Sequence, residues 1–261
     1  MDKALFFDLD DTILWDAKSI ELAFKNTCAY AENTYGTDAK ELETAVRAAA
    51  KERYSSYDTF AFTQMIGINP FEGLWGSFQD PGEGFERMAA IIEEYQFHTW
   101  HDGLKQLGVE EKTAAEELAA LFITERKKSP VLFDEAFDVL DQLKGKVTLV
   151  LLTNGSPQLQ NTKLTITPEI APYFDHVIIS GEFGKGKPDP AIFEHALKVS
   201  GASKESTWMI GDNPKTDILG ANRAGITSIW LNRFEKEPHP GIEADHEIQD
   251  LHQIFNLIDL S

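Results

Sequence analysis

FFDLDDTILWD, residues 6–16, sets three carboxylates, Asp8, Asp10 and Asp11, within four positions directly behind an apolar run. Carboxylates held that close repel one another and raise each other's pKa. The chain already carries a formal charge of −19, from 24 Lys and Arg against 43 Asp and Glu. The crowding therefore calls for a local cation. The run before it, apolar from Ala4 onward, reads as a short buried strand over residues 3–7. If that strand geometry persists through Asp10, Asp8 and Asp10 point one way and Asp11 the other. The bland alternative is a solvated turn after a strand, where Asp is common.

Two further runs repeat the pattern. VTLVLLTNG (residues 147–155) and TWMIGDN (residues 207–213) are apolar until they end abruptly in small or acidic polar residues. DHVIIS (residues 175–180) and TSIWLN (residues 227–232) read as two more strands. Near-continuous apolar strands belong to parallel sheets covered on both faces. Helical patterns lie between them: FDEAFDVLDQLKG (residues 133–145), with Phe133, Phe137, Leu140 and Leu143 at helical spacing, AIFEHALKVSG (residues 191–201) and KTDILGANRAG (residues 215–225). Each ends in a glycine suited to a C-cap, and Asp189 with Pro190 gives an N-cap and first-turn signal. The alternation predicts an α/β fold, a doubly wound parallel sheet, built from residues 1–16 and 130–261. After Arg233 the segment ADHEIQDL (residues 244–251) and a short helix are expected to close it.

Residues 17–129 follow a different rule. Residues 19–36, 38–57, 85–97 and 110–128 read as amphipathic helices with no strand among them, an inserted all-helical cap domain. Asp38 with Glu41, and Thr113 with Glu116, match the capping-box spacing at two helix starts. GINPFEGLWGSFQDPGEG (residues 67–84) reads as a long loop. Phe60, Phe62, Phe71, Trp75 and Phe78 default to the core of the insertion, and Cys28 to a buried, inert thiol. His98 and His101 stand three apart without a third ligand nearby, so they read as packing or surface residues.

Composition excludes several function classes. No run approaches the roughly 18 apolar residues of a membrane helix. One cysteine rules out an internal disulfide and a zinc site of several cysteines. The N-terminus runs straight into a strand without a signal-peptide pattern, so a cytoplasmic protein is expected. The acidic surplus argues against nucleic acid and anionic membranes as partners, since phosphate backbones need Lys and Arg surfaces.

In a doubly wound sheet, ligands bind outside the carboxyl ends of the strands. Asp8 and Asp10, Thr153 and Asn154, and Asp212 and Asn213 end the three apolar runs, and converge if those strands are neighbours. Carboxylates from two strands make a hard-oxygen site whose natural occupant is Mg²⁺. Lys187, in GKGKPDP (residues 184–190), adds an ammonium, and a phosphate could be polarised between the two cations. One aspartate could then attack phosphorus and a second protonate the leaving alcohol. Gly181, Gly184 and Gly186 fit neither G-x-G-x-x-G nor a P-loop, and read as a connection that delivers Lys187.

Taken in order, DLDDT (residues 8–12), TNG (residues 153–155), KPDP (residues 187–190) and GDNPKTD (residues 211–217) resemble the four motifs of the haloacid dehalogenase superfamily. The resemblance covers residues 1–16 and 130–235, and the helical insertion is similar in position to the family's type 1 cap. It implies a Rossmann-like core in which Asp8 is the nucleophile and Asp10 the general acid and base. It gives Thr153 and the Asn154 backbone to the phosphoryl oxygens, and Lys187, directly before Pro188, to neutralising the phosphate. Lys185 competes for that part but lacks the following proline. Asp212 would complete a Mg²⁺ site with the Asp8 carboxylate and the Asp10 carbonyl, and Asp217, with Asn213 in a similar part, would orient Lys187 or a metal-bound water. Asp10 separates the chain from the family's dehalogenase branch, which lacks it and uses no metal, and the P-type ATPase branch needs membrane helices. The resemblance thus implies a Mg²⁺-dependent phosphomonoesterase acting on a small phosphorylated metabolite, with phosphoserine or another small phosphorylated acid first among the candidates. Nucleotide or sugar-phosphate phosphatase and phosphomutase stay open beside it. A non-catalytic phosphate-binding protein is the alternative of another class, disfavoured because Asp8, Asp10 and Lys187 are all present.

Overall fold

A computed structural model describes residues 3–259. They form two compact units, one of residues 3–15, 131–155 and 167–259 and one of residues 16–130 and 156–166. The chain opens with β1 (Ala4–Phe7) and enters the helical unit through α1 (Asp16–Tyr35), α2 (Ala39–Ser56), α3 (Phe60–Ile66), α4 (Pro70–Gly73), α5 (Glu83–Gln106) and α6 (Lys112–Lys128). It continues through α7 (Glu135–Leu143) to β2 (Thr148–Thr153), then contributes α8 (Pro157–Ile166) to the helical unit. β3 (His176–Ile179), α9 (Ser180–Phe183), α10 (Pro190–Ser200), β4 (Thr207–Gly211), α11 (Leu219–Ala224), β5 (Thr227–Leu231) and β6 (His246–Ile248) complete the α/β unit.

All strand pairs are parallel, in the order β3-β2-β1-β4-β5-β6. The two strands read as most apolar, β1 and β2, are buried along their whole length, as strands covered on both faces must be. Phe6 lies level with Val150 and Met209. Ala4, Phe6, Val150, Leu152 and Met209 share one face and pack on Ile192, Phe193 and Ala196 of α10 and Ala221 and Ala224 of α11. Each of the larger side chains among them contributes roughly 1.5–3 kcal/mol by leaving water. Asp189 caps α10 by accepting from the Ala191 N–H, and Gly201 and Gly225 end α10 and α11 in the left-handed conformation. Gly145 follows the C-cap Lys144 by one residue instead of occupying it. The helix expected over residues 215–225 begins as a π-turn, Pro214–Ile218, before α11.

In the helical unit α1 packs along α6 and α2 along α5. Ile20, Ala23, Phe24, Cys28 and Ala31 form the buried face of α1, the i, i+3, i+4 stripe of an amphipathic helix. The Phe24 ring lies 6.1, 6.0 and 4.6 Å from those of Phe71, Trp100 and Phe122. Burial pushes the Cys28 thiol up to about 12, so it stays protonated and unreactive. His98 and His101 project from α5 with rings 6.4 Å apart at right angles, His101 stacked on Phe97.

Two local expectations change, and one helix appears where none was expected. Asp38 caps α2, its carboxylate accepting from the Lys40 and Glu41 N–H groups, but α6 starts at Lys112, which leaves Thr113 inside the first turn instead of at the cap. The loop of residues 67–84 contains α4, started by a capping box between Asn69 and Glu72. Residues 157–166 show no apolar periodicity yet form α8. Its buried side includes Gln160 and Lys163 beside Leu159 and Leu164, so a hydrophobic pattern cannot reveal it.

The buried lysine finds partners within the helical unit. Lys163 Nζ lies 2.9 Å from Glu72 Oε1 and 3.7 Å from Asp16 Oδ1, and Arg126 pairs with the same Asp16 oxygen. The Arg126 guanidinium also covers the Trp75 ring at 4.6 Å. All four charged side chains are nearly removed from solvent, where ions persist only when paired. Asp80 adds a second fastening, accepting from Ser156 Oγ at 2.6 Å and the Gln158 N–H at 2.7 Å.

Candidate active site

The polar residues that end β1, β2 and β4 meet at one edge of the sheet, because these three strands are neighbours. The parallel ladder runs one step past β1, with the Asp8 N–H donating to the Ile210 carbonyl at 3.0 Å. The chain then wraps on itself: the Leu9 carbonyl accepts from the Ile13 and Leu14 N–H groups at 2.9 Å each, and Asp11 takes a φ of 57°. Strand alternation therefore stops before Asp10, and the turn, not the pleat, places that half-buried residue.

Lys187 is the centre of the site. Its Nζ donates to Asp8 Oδ1 at 2.6 Å and to the Leu152 carbonyl at 2.7 Å, and lies 2.7 Å from Asp217 Oδ1. Lys185 is exposed and pairs with Asp189 at 3.2 Å. The position of Lys187 is set by Asn154, whose side chain accepts from the Lys187 N–H at 2.8 Å and donates to its carbonyl at 2.9 Å. A Cβ on the preceding Gly186 would stand 2.8 Å from Asn154 Oδ1. The following turn is fixed by Ser180, whose Oγ accepts from the Gly155 N–H at 2.8 Å. Sequence reading missed both the side-chain role of Asn154 and Ser180, since partners 33 and 25 residues away leave no local signal.

One oxygen each from Asp8, Asp212 and Asp217 lies within 4.8 Å of the others, and Asp10 stays outside this group. Asp217 is fully buried and accepts from the Asn213 N–H at 3.1 Å. The Asn213 side chain accepts from the Lys215 N–H and so starts the π-turn. Asp217, not Asn213, is the residue that touches Lys187. Trp230 Nε1 donates to the Asp212 carbonyl at 2.9 Å. Thr153 ends β2 with no exposure.

The electrostatics follow from burial. Desolvation raises the Asp8 carboxyl well above the usual carboxylate range, with Asp217 and Asp10 adding to it and Lys187 opposing. Burial alone would lower the Lys187 ammonium, but Asp217 and Asp8 outweigh it and hold Lys187 above its ordinary value. Asp212 is pushed up to about 6, by burial first and then by Asp217, against Lys236 and Lys187. Three carboxylates around one buried ammonium leave a negative excess made of hard oxygens, a donor set that suits a divalent cation.

Gly211 is a packing requirement. A Cβ there would lie 2.3 Å from Asp217 Cγ, closer than any real contact allows. Gly211→Ala is expected to drive Asp217 off Lys187 and to destabilise the fold by about 1–3 kcal/mol as an overpacking substitution. Urea unfolding checks this, and a variant as stable as the parent chain would contradict it.

Comparison with known proteins gives four findings. The family model described as haloacid dehalogenase-like hydrolase matches residues 3–225. The phosphoserine phosphatase of Thermus thermophilus is 34% identical over 254 residues, covering 97% of this chain and 98% of its own length. The pyrimidine 5'-nucleotidase YjjG of Escherichia coli is 35% identical over 124 residues, 47% of this chain and 55% of that protein. Among solved structures, the magnesium-bound HAD-hydrolase YfnB of Bacillus subtilis superposes with a TM-score of 0.67 at 23% identity, over 98% of this chain and 97% of that one.

Proposed function

The chain belongs to the haloacid dehalogenase-like hydrolases, and on that premise we propose that it is a Mg²⁺-dependent phosphomonoesterase working through an aspartyl-phosphate on Asp8. The observation that carries the reading is the Lys187 ammonium bridging Asp8 and Asp217 beside Asp212. Asp8 and Asp212 would hold the ion through their carboxylates and Asp10 through its carbonyl. Bound there, Mg²⁺ supplies charge that neutralises the phosphoryl oxygens and lets Asp8 ionise despite its burial.

The steps fall to the chain's own residues. Lys187, Thr153 and the Asn154 main chain bind the phosphoryl oxygens; the Asn154 side chain is engaged with Lys187. Asp8 attacks phosphorus, the ester oxygen departs, and Asp10 gives it a proton. Asp10 then takes a proton from water, which attacks the aspartyl-phosphate and returns Asp8 with inorganic phosphate. Asp217 keeps Lys187 charged and oriented, and Asn213 holds Asp217 through its N–H.

Residues 17–129 are read as the cap, joined by α8 of the helical unit, the rest of residues 1–16 and 130–261 as the core, and the substrate as phosphoserine or another small phosphorylated acid. The full-length similarity to the Thermus phosphoserine phosphatase supports that choice. A nucleoside monophosphate is the second reading, favoured by the nucleotidase that matches about half of the chain. An acidic chain with one cysteine fits a cytoplasmic enzyme of small molecules, not a partner of nucleic acid. Among the described residues no helix is long and apolar enough to cross a membrane.

The test is phosphate release from phosphoserine, phosphoglycolate, nucleoside monophosphates and sugar phosphates, with Mg²⁺ and with EDTA. Release should require the metal and be fastest from phosphoserine. Fastest release from a nucleotide would move the assignment to the second reading, and release undiminished by EDTA would remove the metal from the mechanism.

A further inference from the structure

Lys236 takes no part in the four motifs, yet its Nζ lies 3.2 Å from Asp212 Oδ2. Its side chain is 52% exposed while that of Asp212 is 18% exposed, so a solvated cation reaches in to a largely buried anion. The backbone that presents it is firmly built. Asn232, just past β5 and 3% exposed, accepts from the Lys236 N–H at 2.8 Å and donates to the Lys236 carbonyl at 2.9 Å. The same Asn232 donates to Glu247 Oε1 at 2.7 Å and, through its N–H, to the Ile248 carbonyl at 2.7 Å. Glu235 closes the turn with a φ of 49° and an N–H bonded to the Asn232 carbonyl at 3.2 Å. A buried asparagine that clamps both main-chain groups of Lys236 fixes where the side chain starts. The four-carbon stem then lets the ammonium leave Asp212 at low cost.

We propose that Lys236 is a tethered counter-cation of Asp212, which competes with the divalent ion for that carboxylate and sets how tightly the ion is held. The inference rests on the reading of Asp212 as a metal ligand. Without the ion, the ammonium offsets part of the negative excess left by Asp8, Asp212 and Asp217. A divalent ion arriving at Asp212 would compete with that ammonium for the carboxylate and would be held less tightly for the like charge beside it. The pair is exposed on its lysine side, so its contribution is modest and screened by salt. It should therefore tune affinity without being required for binding.

Isothermal titration of Mg²⁺ into the intact protein, without substrate, separates the alternatives. At low ionic strength Lys236→Met is expected to bind Mg²⁺ roughly three- to tenfold more tightly than the parent chain. Lys236→Arg and the remote charge control Lys204→Met should stay near the parent value. The gain should shrink in about 0.5 M KCl, where the Debye length is only a few ångströms. An affinity for Lys236→Met equal to or weaker than the parent's overturns the inference, as does an equal gain in Lys204→Met. Asp212→Asn is the separate control for the underlying reading: if it binds Mg²⁺ as tightly as the parent chain, Asp212 is not a ligand, and both fall together.

Discussion

Asp8→Asn is expected to release phosphate on the order of a thousandfold more slowly than the parent chain, or slower still, and yet to melt no lower in the absence of metal. The rate falls because a carboxamide offers no anionic oxygen to attack phosphorus. The stability argument is independent of the chemistry. Burial, Asp217 and Asp10 raise the Asp8 carboxyl in the folded state, so the folded chain holds that proton more tightly than the unfolded chain does. Stability is then lost as pH rises from the ordinary carboxylate range toward the raised folded value. Asn has no such proton, and its Oδ1 can still accept from Lys187. Thermal melts at pH 7.5 with EDTA check this, and a variant that melts well below the parent chain would show that Asp8 is a net stabiliser of the fold.

Lys187→Met should lose activity and, unlike Asp8→Asn, lose stability as well. The ammonium is buried and touches Asp8, Asp217 and the Leu152 carbonyl. Without it two fully engaged carboxylates are left buried without their cation, a change that typically costs about 3–5 kcal/mol. Protons can substitute for the missing charge. The deficit should therefore be largest at neutral pH and shrink on acidification, as the raised carboxyls of Asp8 and Asp212 take up protons that the unfolded chain does not hold. Urea unfolding at pH 7.5 and pH 5.5 reads out both features. A Lys187→Met chain as stable as the parent at pH 7.5 would mean that the ion cluster is not under the electrostatic load described above.

Much of the sheet and most of the site could be read from local pattern. β1, β2 and β4 are continuous apolar runs ending in Asp8, Thr153 and Asp212, and such runs follow directly from burial on both faces. The cap at Asp189 and the glycines after α10 and α11 are short-range signals of the same kind. What escaped depends on partners distant in sequence. Asn154 looks like a residue of a tight turn until Lys187 is brought against it, and Gly211 looks like a strand end until Asp217 occupies the space of a side chain. Strand alternation does not govern Asp10, because the Leu9 carbonyl collects the Ile13 and Leu14 N–H groups and ends the strand. α8 stayed unread because its buried face includes a glutamine and a lysine, and the partners of the lysine, Glu72 and Asp16, lie in other helices.

That last feature bears on how such helical units pass between lineages. The unit is encoded in two separate stretches, residues 16–130 and residues 156–166, and the ion cluster spans both: Asp16, Glu72 and Arg126 in the first, Lys163 in the second. A chimaera that exchanges only the first stretch leaves the resident Lys163 facing whatever the donor supplies at those positions, so a single recombined block would inherit a buried cation without its anions. Transplants that carry both stretches keep the cluster whole, and the selection of matched pairs across a gap of 25 residues should appear as joint inheritance of the two segments in hybrid libraries.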